Sequence, residues 1–156
     1  MPELPLEIGD RAPDFTLPDQ HGQQITLSSY AGEKAVLLVF YPYAFTGVCT
    51  GELTGFRDRL GDFETDTTTL LGISCDSIYT QRAFADRDAV FFPLLSDFWP
   101  HGAAASAYGV LDEAEGCALR SSFVVGRDGL ISWALHSERG EARDLDLQAA
   151  RLKQAG

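Results

Sequence analysis

The stretch Ala35-Val36-Leu37-Leu38-Val39-Phe40-Tyr41-Pro42-Tyr43-Ala44-Phe45-Thr46-Gly47-Val48-Cys49 takes the chain from a buried strand into a helix and puts a cysteine at the junction. Residues 35–40 are an unbroken aliphatic and β-branched run, the pattern of a strand covered on both faces. Pro42 cannot donate to a ladder, so the strand stops there. Beyond it, Leu53, Phe56, Leu60 and Phe63 recur at spacings of three and four. That stripe predicts a helix from about Gly47 to about Phe63 with those side chains inward.

Outward from this pair, Asp14 to Leu17 and Gln24 to Leu27 read as short strands of an amino-terminal hairpin, turned at Asp19-Gln20-His21-Gly22. Thr68 to Ser74 forms a second buried strand, followed by a helix from about Ile78 to Arg87 with Phe84 inward. Strand, helix, strand, helix implies parallel pairing. Ser122-Phe123-Val124-Val125 and Leu130-Ile131-Ser132-Trp133-Ala134 flank Gly126-Arg127-Asp128-Gly129, where Asp-Gly marks a tight antiparallel turn. A last helix spans about Leu145 to Lys153. The sum is an α/β fold: a mixed central sheet with helices on both faces and an amino-terminal β-hairpin.

At 156 residues the chain suits one domain, residues 1–156, with a substantial core. The 23 acidic and 12 basic side chains leave a formal net charge of −11, which repels phosphate backbones and anionic membranes. Nucleic acid and membrane surfaces are therefore not expected partners. No long apolar run suggests a membrane span, and Met1-Pro2-Glu3-Leu4-Pro5 lacks the basic start and apolar stretch of a secretory signal, so the expected location is the cytoplasm. Three cysteines, at 49, 75 and 117, are odd in number and widely spaced. They read as free thiols in a reducing compartment.

Cys49 lies one turn before Leu53, on the inner edge of the helix's first turn. Free backbone N–H groups and the positive end of the helix dipole surround such a position, a setting that lowers a cysteine pKa. Thr46 fits as N-cap, which makes Cys49 the N3 residue whose N–H a capping hydroxyl satisfies. That hydroxyl could also donate to a thiolate or hold an oxygen substrate against it. On the residues alone two readings stand: a capped helix with an inert buried cysteine, and a reactive thiol. His21, His101 and His136 sit in separate segments without ligand spacing, so neither a metal site nor a cysteine-histidine hydrolase can be argued from them. A thioredoxin-type dithiol site needs Cys-x-x-Cys, and the first position here is Thr46.

Pro42, Thr46 and Cys49 in the order Pro-x-x-x-Thr-x-x-Cys resemble the active-site motif of the peroxiredoxins. Arg120 opening Ser121-Ser122-Phe123-Val124-Val125, and the opening Ala12-Pro13-Asp14-Phe15-Thr16-Leu17, are similar to that family as well. The resemblance runs from about Ile8 to about Leu152, and Ser96-Asp97-Phe98-Trp99-Pro100-His101-Gly102 resembles the one-cysteine, alkyl hydroperoxide reductase E-like branch. It implies a thioredoxin-like fold and a thiol peroxidase without metal, flavin or haem. Cys49 would be the peroxidatic nucleophile, cycling through sulfenic acid. Thr46 would hydrogen-bond thiolate and peroxide, Arg120 would supply positive charge, and Pro42 would shield the sulfur. Glu52 would orient Arg120 through an ion pair. In isolation these three also fit bland roles: a solvated strand-edge charge for Arg120, a dipole-favoured first-turn acid for Glu52, a strand stop for Pro42. Phe45 and Trp99 are candidates for an apolar wall facing organic hydroperoxides.

The resemblance also implies a reductant. Some relatives carry a resolving cysteine five residues after the first, where this chain has Thr54. Cys75 and Cys117 could resolve Cys49 after local unfolding or could be inert core thiols. The expectation adopted is a one-cysteine cycle with an external thiol or thioredoxin-type reductant. A homodimer or higher homo-oligomer through Tyr43 to Val48 and Phe98 to Gly102 is implied by the family. A competing function with the same chemistry is a peroxide sensor or redox-regulated binding protein.

Overall fold

A computed structural model describes residues 6–156; the stretch read above for a secretory signal, residues 1–5, lies outside the described residues. Strands β1 (Thr16–Pro18) and β2 (Gln24–Thr26) form the antiparallel amino-terminal hairpin. The central sheet is built from β3 (Ala35–Phe40), β4 (Thr68–Ser74), β5 (Leu94–Ser96), β8 (Ser121–Val125) and β9 (Ile131–His136). Between β5 and β8 a small hairpin pairs β6 (Leu111–Asp112) with β7 (Cys117–Ala118). The helices are α1 (Gly47–Asp58), α2 (Ile78–Asp88), α3 (Ala103–Ala107) and α4 (Leu145–Ala155).

Strand order is β5-β4-β3-β8-β9, with β3 parallel to β4 and antiparallel to β8. Every residue of β3 and β4 is buried, as their continuous apolar runs require. On one face Leu37, Val39, Leu70 and Val124 pack against Leu53 and Phe56 of α1, Phe84 of α2 and Leu152 of α4. On the other, Val36, Leu38, Phe40, Leu71 and Phe123 meet Leu17, Leu27, Ala104, Ala105 and Tyr108. Helices thus cover both faces, α3 sharing the second face with the hairpin.

Helix α1 stops at Asp58, short of the Phe63 read from periodicity, and residues Leu60–Asp62 form a 3-10 turn. Leu60 and Phe63 still turn inward through that tighter geometry, Phe63 stacking edge-on against Phe56 at 4.9 Å. Inward spacing therefore persisted where the α-helical hydrogen bonding did not. Three elements escaped the sequence reading: β5, only three residues long; α3, an alanine run with no amphipathic contrast; and the β6–β7 hairpin of two-residue strands.

Buried polar side chains lock these parts in register. Gln81 of α2 accepts from Tyr41 Oη at 2.5 Å and donates to Ser74 Oγ and the Leu95 carbonyl at 2.8 and 3.0 Å. Ser122 Oγ donates to Gln148 Oε1 of α4 at 2.7 Å. Gly55 lets α4 approach α1, since a Cβ there would lie 2.8 Å from Leu145 Cδ1. No described helix is long and apolar enough to cross a membrane.

Candidate active site around Cys49

The carboxyl end of β3, the amino end of β8 and the first turn of α1 converge on Cys49. The strand hands over through buried Tyr41 and Pro42 to a turn that brings the helix start back across the sheet edge. Phe45 in that turn has φ 69°, the left-handed region a bulky side chain seldom occupies. Its ring is held at 5.5 Å from Phe84, with the Arg87 guanidinium over it at 4.7 Å. Thr46 holds the N-cap position with extended backbone angles. Its hydroxyl, however, donates to the Tyr43 carbonyl at 2.8 Å and makes no capping bond. The expected reach to the Cys49 N–H is not made, because a shorter local turn takes the same hydroxyl. The N–H groups of the first helical turn consequently remain without a side-chain cap among the described residues.

Cys49 is 1 % exposed. Arg120 Nη1 points at its Sγ from 3.5 Å. The same nitrogen forms an ion pair with Glu52, one turn along α1, and all three residues are buried. Arg120 Nε and Nη2 both donate to the Arg139 carbonyl, at 3.0 and 2.6 Å.

A second guanidinium completes the cluster. Arg143 is buried, and its Nε and Nη2 grip Glu52 Oε2 and Oε1, each at 2.9 Å, while its backbone N–H reaches Oε2 at 2.7 Å. Its Nη1 donates to the carbonyls of Phe40 and Ser121 at 2.7 and 2.8 Å, stitching β3 to β8 beside the thiol. Arg143 did not stand out in the sequence. Glu138-Arg139-Gly140-Glu141-Ala142-Arg143-Asp144 reads as a solvated charged loop before a helix, and only the partners buried beneath it reveal otherwise.

Burial works against both charges of the Glu52–Arg143 pair, with opposite net results. At Glu52 burial pushes the carboxyl pKa up, but the hydrogen bonds and charge of Arg143, then the charge of Arg120, bring it below its ordinary value. At Arg143 burial prevails and lowers the pKa against the hydrogen bonds and charge of Glu52, with the charge of Arg120 adding to the lowering. Both groups stay ionised, an arginine being effectively always protonated in proteins.

The other thiols sit elsewhere. Burial pushes Cys75, just beyond β4, up to about 12, with Asp97 adding to the effect. Cys117 in β7 is likewise raised, first by burial, despite the Tyr43 hydroxyl and Arg139 beside it. Phe45 and Trp99 face different neighbours: Phe45 packs on α2, whereas Trp99 is 81 % exposed and borders a hollow with Phe15, Pro100 and Tyr108. A mainly apolar cavity of about 420 Å³ lies at the opposite end of the sheet, between Ala12, Tyr30, Val36 and Val125, and takes no part in this cluster.

Known proteins share this architecture. The AhpC/TSA family model matches residues 8–134. Alkyl hydroperoxide reductase E of Mycobacterium tuberculosis is 52% identical over 139 residues, covering 89% of this chain and 91% of that protein. The chloroplastic 2-Cys peroxiredoxin BAS1 of Arabidopsis thaliana is 36% identical over 92% of this chain and 57% of its own length. Among solved structures, peroxidoxin BcpB from M. tuberculosis superposes with a TM-score of 0.86 and 33% identity, covering 97% of this chain and 99% of that one. The chain therefore belongs to the AhpC/TSA family of peroxiredoxins, thiol-dependent peroxidases on a thioredoxin-like fold.

Proposed function

We propose that this protein reduces hydrogen peroxide and organic hydroperoxides with Cys49 as the peroxidatic residue. The observation that carries the proposal is the buried cluster itself. Two guanidiniums share one carboxylate, leaving a net positive charge of one unit that faces the Cys49 sulfur through Arg120. A thiolate at Cys49 brings the cluster to neutrality.

The thiolate attacks one peroxide oxygen; an S–O bond forms as the O–O bond breaks, and the departing oxygen takes a proton to leave as water or alcohol. Cys49 is oxidised to sulfenic acid and the peroxide is reduced. Arg120 stabilises negative charge moving along S···O···O, and the uncapped N–H groups of α1 add to the field. Pro42, buried at the end of β3, screens the thiol from water. Thr46 is assigned the peroxide, which its hydroxyl binds on leaving the Tyr43 carbonyl.

The sulfenic acid condenses with an external thiol, releasing water and forming a mixed disulfide; a second thiol then restores Cys49 and leaves as the oxidised disulfide. The raised pKa values of Cys75 and Cys117 make both poor attacking groups and support an external thiol or thioredoxin-type reductant. Exposed Tyr43 and Phe45 in the turn and exposed Phe98 and Trp99 after β5 favour a homodimer contact through these two segments. The proposed location is the cytoplasm, where a reducing thiol pool supplies the reductant.

The test is stopped-flow mixing of the reduced protein with substoichiometric hydrogen peroxide, following Trp99 and Trp133 fluorescence, for wild type and Cys49→Ser. A fast second-order change absent from the variant, with continued turnover when a thiol is supplied, supports the enzyme. A single oxidation without turnover would return the sensor reading, and equal behaviour of the two proteins would end both.

A further inference from the structure

Arg120 meets Cys49 and Glu52 through Nη1, while its Nε and Nη2 are both held by one main-chain oxygen, the Arg139 carbonyl. That carbonyl belongs to residues 137–144, which lie outside every strand and helix, and the neighbouring bonds Ser137 N to Arg120 O and Glu141 N to Glu138 O do not include it. What secures it is the Arg139 side chain. Nη2 lies 3.0 Å from Asp112 Oδ2 and 3.2 Å from Cys117 Sγ, and Nη1 pairs with the Glu115 carboxylate. All three acceptors come from the β6–β7 hairpin. Asp112 is oriented in turn by the N–H groups of Ala114 and Glu115, at 3.1 and 3.2 Å from Oδ1. The same hairpin grips the other wall of the site, since Tyr43 Oη donates to the Glu115 carbonyl at 3.2 Å.

Resting on the reading of Cys49 as peroxidatic residue, we propose that Arg139 is a positioning residue: clamped by Asp112, Glu115 and Cys117, it fixes the carbonyl that aims Arg120 at the thiol. Arg139 touches neither sulfur 49 nor the peroxide. Its individual ion pairs are half-exposed, where an isolated pair contributes little. Three acceptors on one planar guanidinium, however, define its orientation as well as its place. Asp112, Glu115 and Cys117 also hold their ligand-type atoms within 4.8 Å of one another. A guanidinium already fills that grouping, so the cluster works as a clamp.

Full-length reduced protein is compared in stopped flow as wild type, Cys49→Ser, Arg139→Ala, Arg139→Lys, the double variant Asp112→Asn with Glu115→Gln, and that pair combined with Arg139→Ala. Oxidation of Cys49 by hydrogen peroxide is expected to slow about tenfold in Arg139→Ala, a rise of about 1.4 kcal/mol in the barrier. Alkylation by iodoacetamide, which has no O–O charge to stabilise, falls by a smaller factor. Arg139→Lys recovers part of the rate, and the acid pair slows it like Arg139→Ala without adding to that variant. If the alanine variant does not fold, the lysine variant and the acid pair carry the comparison. Wild-type oxidation rates in these variants, or effects that add, would overturn the clamp. A wild type no faster than Cys49→Ser would instead overturn the reading beneath it.

Discussion

Cys49 and Cys75 are both hidden from solvent, 1 % and 6 % exposed, and both follow a central parallel strand at its carboxyl end. Their surroundings are opposite. Cys49 begins a helix and faces Arg120 at 3.5 Å. Cys75 has Asp97 and Asp76 as its charged neighbours, and burial with those carboxylates holds it protonated. Burial therefore does not tell the two sulfurs apart in this fold. The sign of the charge beside each does, and Arg120 and Asp97 reach them from 71 and 22 positions along the chain.

Oxidation separates the two thiols most directly. One equivalent of hydrogen peroxide followed by a sulfenic-acid trap and mass spectrometry is expected to label Cys49 and leave Cys75 and Cys117 unmodified. Label on Cys75, or a disulfide joining Cys49 to Cys75 or Cys117, would contradict it. Next in size is Glu52→Gln, which leaves two buried guanidiniums facing each other without a carboxylate. Urea unfolding should report a loss of about 3–5 kcal/mol; a change below about 1 kcal/mol would mean the cluster is far better hydrated than its burial suggests.

Arg120→Met removes the cation beside Cys49. Peroxide oxidation of Cys49 should fall by on the order of 10²-fold, as when a donor to developing negative charge is lost. An unchanged rate would assign the activation to the helix terminus alone. Acid provides a milder probe. Because the folded pKa of Glu52 is depressed, the native state binds fewer protons than the unfolded chain between that value and the ordinary 4.5. Stability from this group is fully present above 4.5 and is lost as pH falls through the folded value. Wild type should lose more stability than Glu52→Gln on acidification, and parallel profiles would refute the assignment. The smallest effect concerns Thr50, beside Cys49, whose Oγ1 is buried without a hydrogen-bond partner among the described residues. Thr50→Val should be neutral or stabilise by up to about 1 kcal/mol in thermal unfolding; a marked loss would reveal a partner for that hydroxyl.

Much was legible in advance where the chain's own periodicity carries the information. Strands β3 and β4 begin and end at the residues read from their apolar runs, and Pro42, Thr46 and Cys49 fall, as read, between the end of β3 and the first turn of α1. The Glu52–Arg120 pair, implied by family resemblance, is present and buried. The hydroxyl of Thr46 chose the Tyr43 carbonyl over the helix, a competition among local partners that no spacing rule resolves. Arg143 was missed because a charged loop looks alike in sequence whether it faces water or a buried carboxylate.

Local pattern by itself determined strands β3, β4, β8 and β9 and helices α1, α2 and α4, and that a cysteine starts a helix after a buried strand, because backbone preference and hydrophobic period act over a few residues. Only the tertiary structure decided that Arg120 and Arg143, 71 and 94 positions beyond Cys49, close around it and share Glu52. The antiparallel pairing of β8 with β3 brings Ser121 opposite Phe40 and so delivers Arg120 to the helix start. Charge placement of this kind depends on long-range register, to which composition and spacing are blind.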